Sequence, residues 1–431
     1  MTEATGGEMA ATIFALSSGT PPAGIAVVRI SGPQAAAVAE RLSGPLPPPR
    51  RAALRRFRDP QGAPIDRGLL LRFPGPATAT GEDLVELHLH GGRAVVARML
   101  AVLAAFPGLR AAEPGEFTRR AFLNGRIDLL EAEALGDLLA AETEGQRRAA
   151  IRMADGALSR LIEGWRGQAL RLAALVEASL DFGDEDDVSA GHHDIAGGAA
   201  ALADAIAMVL TAPPVERLRD GIAVVLGGPP NAGKSSLLNR LVGREAAIVS
   251  AEAGTTRDIV EVPVAIGGTA FLFSDTAGLR DAAGTVESIG IARARDRIAA
   301  ADLLLWLGDD PPPPHPHALW LLPRADVRAT DGAERLAVSA VDGHGIAALT
   351  DWLLAAAAAL LPAPDALAVS RRQRGELTVA MASARAAATE TDAVLQAEAL
   401  RQLRQAFDRL TGRAGYEELL DTLFGQFCLG K

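Results

Sequence analysis

Apolar and polar positions in the N-terminal part of the chain follow strand-like patterns. Two short apolar runs, residues 25–30 and 69–73, are bounded by Pro- and Gly-rich stretches and predict strands. Residues 84–90 alternate with a period of two, which predicts a strand with one apolar and one polar face. A Gly-Gly pair ends that strand, and residues 94–106 have helical spacing. We therefore expect a small α+β domain over residues 1–125.

The polar face of the third predicted strand carries Glu86, His88 and His90. Two imidazoles and a carboxylate on one face have the ligand chemistry of a metal site. A polar strand face that lines a cleft is the alternative. It is favoured because no fourth ligand is evident nearby.

Helical periodicity covers two blocks of the chain, on either side of residues 218–361. In residues 126–217, and again in residues 362–431, apolar residues recur at three- and four-residue spacing. Both blocks predict helices, and we expect them to form one helical domain into which residues 218–361 are inserted. An acidic run at residues 181–187 is more typical of a solvated loop than of a cation site. Individual helices are expected at about residues 195–210, 395–410 and 416–427.

The second helical block is locally basic, although the chain has a net charge of −10 and a pI of about 5.3. No global basic field indicates nucleic-acid binding, so any such partner must be held by a local patch. The arginines of this block can contact a phosphate backbone, and a solvated helix face explains them equally well. They are Arg371, Arg372, Arg374, Arg401, Arg404, Arg409 and Arg413.

Cysteine content and hydropathy indicate the compartment. A single cysteine, Cys428, excludes intramolecular disulfides and favours a reducing environment. The longest apolar run, residues 352–361, is too short to span a bilayer. The N-terminus lacks the basic start of a secretory signal. We expect a cytoplasmic protein with no membrane association.

A nucleotide-binding pattern follows the apolar run at residues 222–226. Residues 228–235 read Gly-Pro-Pro-Asn-Ala-Gly-Lys-Ser, and a helix start follows, which is the strand–loop–helix context that this pattern requires. The glycines let backbone amides wrap a phosphate chain, and Lys234 is expected to reach the β- and γ-phosphates. The Ser235 hydroxyl is expected to bind Mg²⁺.

Two further motifs favour a GTPase over a generic ATPase. They are Gly-Thr-Thr-Arg-Asp at residues 254–258 and Asp-Thr-Ala-Gly at residues 275–278. Thr256 is expected to complete the Mg²⁺ shell and to sense the γ-phosphate. Asp275 is expected to hold Mg²⁺ through water, and the Gly278 amide to contact the γ-phosphate.

Two positions distinguish this sequence from Ras-like GTPases. Leu279 stands where those proteins place a water-orienting Gln, and an aliphatic side chain cannot polarise water. The catalytic group must therefore come from elsewhere. Asn231 offers an amide oxygen to a monovalent cation beside the phosphates, and such a cation can replace the charge of an arginine finger.

The base-recognition segment departs from the usual Asn-Lys-x-Asp, because residues 323–326 read Pro-Arg-Ala-Asp. Asp326 can still pair with the N1 and N2 donors of guanine, which adenine cannot mimic. Pro323 cannot make the side-chain hydrogen bonds of Asn, a loss of about 1 kcal/mol per bond. Ser339 and Ala340 fit the last guanine-contacting turn. We expect guanine preference to be retained and nucleotide affinity to be weakened.

The whole chain resembles the MnmE (TrmE) family of tRNA-modification GTPases. The likeness is nearly end to end and includes motifs in every predicted domain. The motifs are Thr20-Pro21-Pro22 with Arg29-Ile30-Ser31-Gly32, residues 81–87 (GEDLVEL) with 90–92 (HGG), 114–118 (PGEFT), 121–129 (AFLNGRIDL), 231–239 (NAGKSSLLN), 275–280 (DTAGLR) and 427–431 (FCLGK).

The resemblance implies a multidomain protein with three folds. They are an α+β folate-binding N-terminal domain over residues 1–125, an all-α helical domain over residues 126–217 and 362–431, and an inserted α/β P-loop (Ras-like) GTPase domain over residues 218–361. It implies GTP, Mg²⁺, K⁺ and 5-formyltetrahydrofolate or a related tetrahydrofolate as ligands. Members form homodimers and work on tRNA in a heterotetramer with the FAD-dependent protein MnmG. Together these add an aminomethyl or carboxymethylaminomethyl group at C5 of the wobble uridine, with potassium-activated GTP hydrolysis.

The resemblance places the catalytic carboxylate of the family at Glu287. This residue would orient the attacking water, a role that Leu279 cannot perform. Lys234 is a further catalytic candidate, and Cys428 is a candidate for a redox or covalent step, with inert packing as the alternative. The folate contacts map to Arg29, Glu86, Arg126 and Lys431. The potassium ligands map to Asn231, Ser250, Thr255 and the carbonyl of Glu252, and the magnesium ligands to Ser235 and Thr256. The nucleotide contacts are Asn231, Ala232, Gly233, Lys234, Ser235, Ser236, Ser250, Thr255, Thr256, Asp275, Thr276, Ala277, Gly278, Asp326, Ser339 and Ala340.

Two other functions stay open. A regulatory or ribosome-assembly GTPase that only binds RNA shares the nucleotide motifs, but it should lack Glu86 on its strand face and the Cys-Leu-Gly-Lys end. A folate-dependent aminomethyltransferase with a degenerate GTPase insert is the third hypothesis. It predicts tRNA modification that survives Lys234→Ala.

Overall fold

The chain forms two compact units, residues 1–136 with 408–431, and residues 137–407. The structure is a computed structural model. It describes residues 11–181, 189–244, 261–275, 295–329, 334–363, 366–367, 369–414, 423–425, 427 and 430. The domain boundaries expected at residues 125, 217 and 361 stay a prediction.

The first unit is built on a mixed sheet of six strands in the order β3-β4-β5-β2-β1-β6. The β1–β6 pair is parallel and the other pairs are antiparallel. Its elements in chain order are β1 (Thr12–Leu16), β2 (Ala23–Ser31), α1 (Ala35–Ser43), β3 (Ala53–Arg58), β4 (Pro64–Phe73), β5 (Leu84–Gly91), α2 (Arg93–Ala104), β6 (Leu109–Ala111) and α3 (Glu116–Leu123).

One face of this sheet is covered by α1 and α2 and forms the core of the unit. The alternation predicted for residues 84–90 is confirmed, because Val85, Leu87 and Leu89 are buried while Glu86 and His88 are half-buried on the other face. Strand β5 is central in the sheet, so its polar face lies beside polar residues of β2. That adjacency positions the polar site described below.

Helices make up most of the second unit outside its sheet. The helices from residue 129 onward include α4 (Leu129–Ala140), α5 (Glu144–Ala154), α6 (Ala157–Asp181), α7 (Ser189–Leu210), α8 (Glu216–Arg219), α9 (Lys234–Arg244), α10 (Ile346–Leu360), α11 (Arg371–Thr389) and α12 (Ala393–Thr411). Thr143 and Ser370 begin α5 and α11 with complete capping boxes, each closed by a Gln three residues later. None of the described helices is long and apolar enough to cross a membrane.

The inserted segment forms a second sheet of six strands in the order β12-β11-β10-β7-β9-β8. All neighbouring pairs are parallel except β8–β9. Apolar side chains of α9 and α10 pack with the central strands in one core. The strands are β7 (Ile222–Gly227), β8 (Glu261–Ile266), β9 (Thr269–Asp275), β10 (Leu303–Trp306), β11 (Ala318–Pro323) and β12 (Leu336–Val338).

The connection from β10 to β11 departs from the usual pattern for parallel strands. Such a crossover is ordinarily made by a helix. Here residues 307–317 contain no helix and run through a proline-rich bridge at residues 311–316. The bridge follows a short loop, residues 308–310, whose Asp309 accepts a hydrogen bond from Arg328, just after the base-recognition segment.

Candidate functional site

The described parts of the predicted nucleotide motifs lie at one edge of the second sheet. Strands β7, β9, β10, β11 and β12 are parallel, so their carboxyl ends meet at the same edge. Ligands of open α/β sheets bind at this edge. The P-loop leaves β7 there, and Asp275 ends β9 opposite Leu226 of β7. The segments that begin after β11 and β12 contain Asp326 and Ser339.

The backbone of the P-loop follows from its sequence. Gly228 and Gly233 have φ values of 139° and 97°, which side chains other than glycine rarely adopt. A Cβ on Gly228 would also lie 3.1 Å from the Leu307 carbonyl carbon. Asn231 has a φ of 58°, a left-handed conformation that Asn tolerates better than most residues. The loop thus has the curvature that a phosphate-wrapping loop requires.

Lys234 begins helix α9 and is 5% exposed. Its ammonium group donates to the carbonyl oxygens of Gly228 at 3.2 Å and Pro229 at 2.9 Å. The positive charge is therefore held inside the curve of the loop. Ser235 and Ser236 follow on the first turn of the helix and are exposed.

The base-recognition turn is tied to the P-loop by Arg324. Its guanidinium donates to the carbonyl oxygen of Asn231 at 2.7 Å. Pro323 is buried at the end of β11, whereas Asp326 is exposed and in no ion pair with any residue that the structure describes. Ser339 is fully buried and its hydroxyl accepts from the Val341 amide at 3.2 Å. Ala340, beside it, is partly buried.

Ten predicted site residues lie outside the part of the chain that the structure describes, so their roles stay predictions. Asp275 is the last residue of β9. The ten are Ser250, Glu252, Thr255, Thr256, Thr276, Ala277, Gly278, Glu287, Cys428 and Lys431.

A second polar site lies on the first sheet, where Arg29 of β2 is the register partner of Glu86 of β5. The guanidinium of Arg29 donates to Oε1 of Glu86 at 2.9 and 3.2 Å, and it lies 5.7 Å from the ring centroid of Phe117. The other carboxylate oxygen of Glu86 is 3.3 Å from Nε2 of His88. Arg126 instead donates to the Thr78 carbonyl at 3.2 Å.

The electrostatics of this second site keep Glu86 ionised. Burial raises the pKa of Glu86, but hydrogen bonding and charge from Arg29, and then from His88, hold it below its ordinary value. His90 pairs with Asp66 at 2.8 Å instead of with Glu86. Among the described residues no group of three His, Cys, Asp or Glu side chains could hold a metal ion. The two histidines of this strand face thus contact different carboxylates, His88 that of Glu86 and His90 that of Asp66.

The C-terminal motif approaches the same unit. Gly430 has a φ of 91°, and a Cβ there would overlap the Leu16 carbonyl at the end of β1. A Cβ on Gly115 would likewise overlap the Phe424 carbonyl. Both glycines are required by close backbone approach. The C-terminal residues thus pack against the end of β1 and against the 114–118 motif.

A buried charge network was not predicted from the sequence. Arg120 of α3 is 2% exposed and lies between Glu82, at 3.0 Å, and Glu116, at 2.9 Å. Arg110 also pairs with Glu116, at 2.6 Å, and the Ser31 hydroxyl donates to Glu82 at 2.7 Å. The network joins the 81–87 and 114–118 motifs. Helix α3 is amphipathic, and the sequence pattern does not reveal that Arg120 lies on its buried side.

Arg374 and Arg401 of the basic C-terminal block make internal contacts. Arg374 donates to the carbonyl oxygens of Leu210 and Ala212 at the end of α7, both at 2.8 Å. Arg401 pairs with Glu398 at 2.6 Å. These contacts favour the helix-face interpretation over phosphate binding for these two residues.

Comparison with known proteins covers nearly the whole chain. The family model for the GTP-binding protein TrmE N-terminus matches residues 12–126, and the model for the MnmE helical domain matches residues 129–428. The chain belongs to the MnmE family. The family model that matches residues 129–428 spans the inserted sheet as well as the helices on both sides.

Relatives in the MnmE family are similar over nearly their full length. A tRNA modification GTPase MnmE from Rhizorhabdus wittichii is 56% identical, over 97% of this chain and 96% of the relative. The one from Novosphingobium aromaticivorans is 53% identical over 98% and 100%. The G domain of the T. maritima FeoB iron transporter aligns with 32% of this chain and 98% of its own, at 23% identity and a TM-score of 0.24. The multidomain fold expected from the MnmE resemblance is confirmed by the family matches and by the two sheets and the helices described above.

Proposed function

We propose that this GTP hydrolase modifies tRNA together with the FAD-dependent protein MnmG. The modification is an aminomethyl or carboxymethylaminomethyl group at C5 of the wobble uridine, and the one-carbon unit comes from a tetrahydrofolate. The observation behind this proposal is that the family matches include the N-terminal segment, residues 12–126, as well as the segment that contains the P-loop. A GTPase that only binds RNA has no need of the Arg29–Glu86 site.

The P-loop fits the triphosphate of GTP. Its backbone curves through Gly228, Asn231 and Gly233, and the Lys234 ammonium sits inside the curve. When GTP binds, the Lys234 ammonium leaves the carbonyl oxygens of Gly228 and Pro229 and donates to the β- and γ-phosphate oxygens. These oxygens bind an ammonium more strongly because they are charged. Water then attacks the γ-phosphorus, the bond to the β-phosphate oxygen breaks, and GDP and phosphate leave. Glu287 orients that water.

Two cation sites are proposed beside the triphosphate. The exposed Ser235 hydroxyl at the start of α9 suits Mg²⁺, with Thr256 and Asp275 as its further partners. Exposed Asn231 suits K⁺, with Ser250, Thr255 and the carbonyl of Glu252. When bound, both cations supply positive charge where negative charge develops on the phosphates.

The Arg29–Glu86 site is proposed to bind a tetrahydrofolate. An ionised carboxylate accepts hydrogen bonds from the donor edge of a pterin, and Glu86 is held ionised by Arg29 and His88. Arg126 and Lys431 are the further folate contacts, and Cys428 is a candidate for a redox or covalent step. We also propose a cytoplasmic homodimer that forms a heterotetramer with MnmG.

Potassium dependence tests the hydrolytic mechanism. We expect GTP hydrolysis to be faster in potassium than in sodium, because Na⁺ is too small for ligands spaced for K⁺. Glu287→Ala is expected to lower the rate of GTP hydrolysis in potassium about 10²-fold, because the attacking water is no longer oriented. Initial rates of phosphate release in the two salts measure both effects. A rate that is equal in both salts, or unchanged by Glu287→Ala, contradicts this mechanism.

Nucleoside analysis tests the tRNA function. A strain that lacks this protein is expected to lose the C5 modification of the wobble uridine, and the wild-type gene should restore it. Lys234→Ala should not restore it, because hydrolysis is required. Mass spectrometry of digested tRNA measures the modified nucleoside. Intact modification in the deletion strain would favour the ribosome-assembly GTPase, and modification restored by Lys234→Ala would favour a folate enzyme with a degenerate insert.

A further inference from the structure

The turn that contains Asp326 is ordered although Pro323 replaces the usual Asn. Arg324 begins the turn with a φ of 60°. Its carbonyl accepts hydrogen bonds from the amides of Val327 and Arg328, at 3.0 and 2.9 Å. The Ala325 amide donates to Val338 of β12 at 3.1 Å. The backbone of the turn is therefore anchored on both sides of Asp326 without an Asn side chain.

Two arginines downstream of Asp326 share one carboxylate, Asp309. Arg328 donates to Oδ1 of Asp309 at 2.6 Å, and Arg335 approaches the same oxygen at 3.4 Å. The Arg335 guanidinium also lies 5.2 Å from the ring centroid of Trp320, and its side chain is 5% exposed. The Asp309 carboxylate itself is 70% exposed. The hydrogen bond from Arg328 is the main cause that lowers the pKa of Asp309, so the carboxylate is ionised at neutral pH.

Asp309 is itself held in place by two indoles. Trp306 and Trp320 are register partners in β10 and β11. The indole of Trp320 donates to the Gly308 carbonyl and that of Trp306 to the Asp310 carbonyl, both at 2.8 Å. A Cβ on Gly308 would lie 2.5 Å from Nε1 of Trp306. The φ of Gly308 is not in the left-handed region, so glycine is favoured here by the lack of space for a side chain and not by the backbone conformation. The loop that presents Asp309 is fixed on both sides.

We infer that Asp309 is a positioning residue for guanine recognition. It ties the turn of Asp326 to the fixed loop after β10 through Arg328, and it ties that loop to the residue before β12 through Arg335. Arg324 ties the same turn to the P-loop at Asn231. Together these contacts replace the support that Pro323 cannot give. The inference rests on the proposed function, because it assumes that Asp326 forms hydrogen bonds with the guanine base.

Asp309→Asn tests this inference, with Asp310→Asn as the matched control. Asp310 is the adjacent exposed acid, and its side chain pairs with no residue in the described ranges. Asp309→Asn should raise the Kd for GTP about three- to tenfold, the range expected for losing two partly exposed ion pairs. Inosine triphosphate lacks the 2-amino group that Asp326 is proposed to bind. The ratio of the Kd for inosine triphosphate to the Kd for GTP should therefore be smaller in Asp309→Asn than in the wild type. The kcat at saturating GTP should stay unchanged.

Calorimetric titration of each full-length variant with both nucleotides provides the readout, and thermal melting monitors the fold. Asp310→Asn should match the wild type, and Asp309→Glu should recover part of the preference for GTP. An unchanged preference in Asp309→Asn overturns the inference. An equal loss for both nucleotides together with a lower melting temperature also overturns it, because that is a purely structural effect. A wild type without preference for GTP would instead refute the base-reading role of Asp326.

Discussion

Lys234→Ala is expected to lower kcat/KM for GTP hydrolysis about 10³-fold, the upper range for removing one preorganised donor from a phosphate or oxyanion site. Lys234 is 5% exposed, and its ammonium lies inside the P-loop, within 3.2 Å of two loop carbonyl oxygens. No other lysine or arginine among the described residues donates to these two carbonyls. In the proposed mechanism, alanine therefore removes the charge that faces the β- and γ-phosphates in the transition state.

Steady-state phosphate release measures this effect, and two variants serve as controls. Lys234→Arg keeps the charge but replaces the compact ammonium with a larger, planar guanidinium of different donor geometry, so it should also lower the rate. Arg240→Ala, on the exposed surface of the same helix, should hydrolyse GTP at the wild-type rate. Hydrolysis by Lys234→Ala within about tenfold of wild type would contradict the proposed role.

Arg120→Met is expected to lower the free energy of unfolding by about 3–5 kcal/mol, the usual cost of removing one partner from a buried ion pair. The Arg120 side chain is 3% exposed, and the carboxylates of Glu82 and Glu116 on either side are 15% and 10% exposed. Methionine fills much of the same volume but leaves Glu82 without a described cationic partner. Urea denaturation at pH 7 measures the loss.

The pH dependence of this loss separates charge from packing. Burial raises the pKa of Glu116, but Arg110, the Glu113 amide and Arg120 lower it below its ordinary value of 4.5. The native pairing therefore stabilises the wild type fully above about pH 4.5, and the contribution falls as the pH drops through the lowered pKa. The difference between wild type and Arg120→Met should be largest at pH 7 and shrink below about pH 4.5. Glu82→Gln added to Arg120→Met should recover part of the stability. A loss below about 1 kcal/mol, or one independent of pH, would contradict the role of the charge network.

The sequence determined the features that depend on local pattern. The period-two alternation at residues 84–90 places Val85, Leu87 and Leu89 in the core, because a strand has only two faces. The P-loop pattern requires a strand, a loop with positive φ and a helix, and β7, Gly233 and α9 provide them. Family membership also follows from sequence, because its motifs are spread along nearly the whole chain.

Tertiary structure alone decided which distant side chains meet. Arg120 and Glu82 are 38 residues apart, and Arg324 and the Asn231 carbonyl are 93 residues apart. Their contacts depend on strand order and loop path, which no local period specifies. The same holds for Asp309, whose two arginines follow another strand and whose loop is fixed by indoles on neighbouring strands. A pattern of neighbours along the chain predicts elements and backbone conformations, whereas partners across a sheet are chosen by the topology that brings them together.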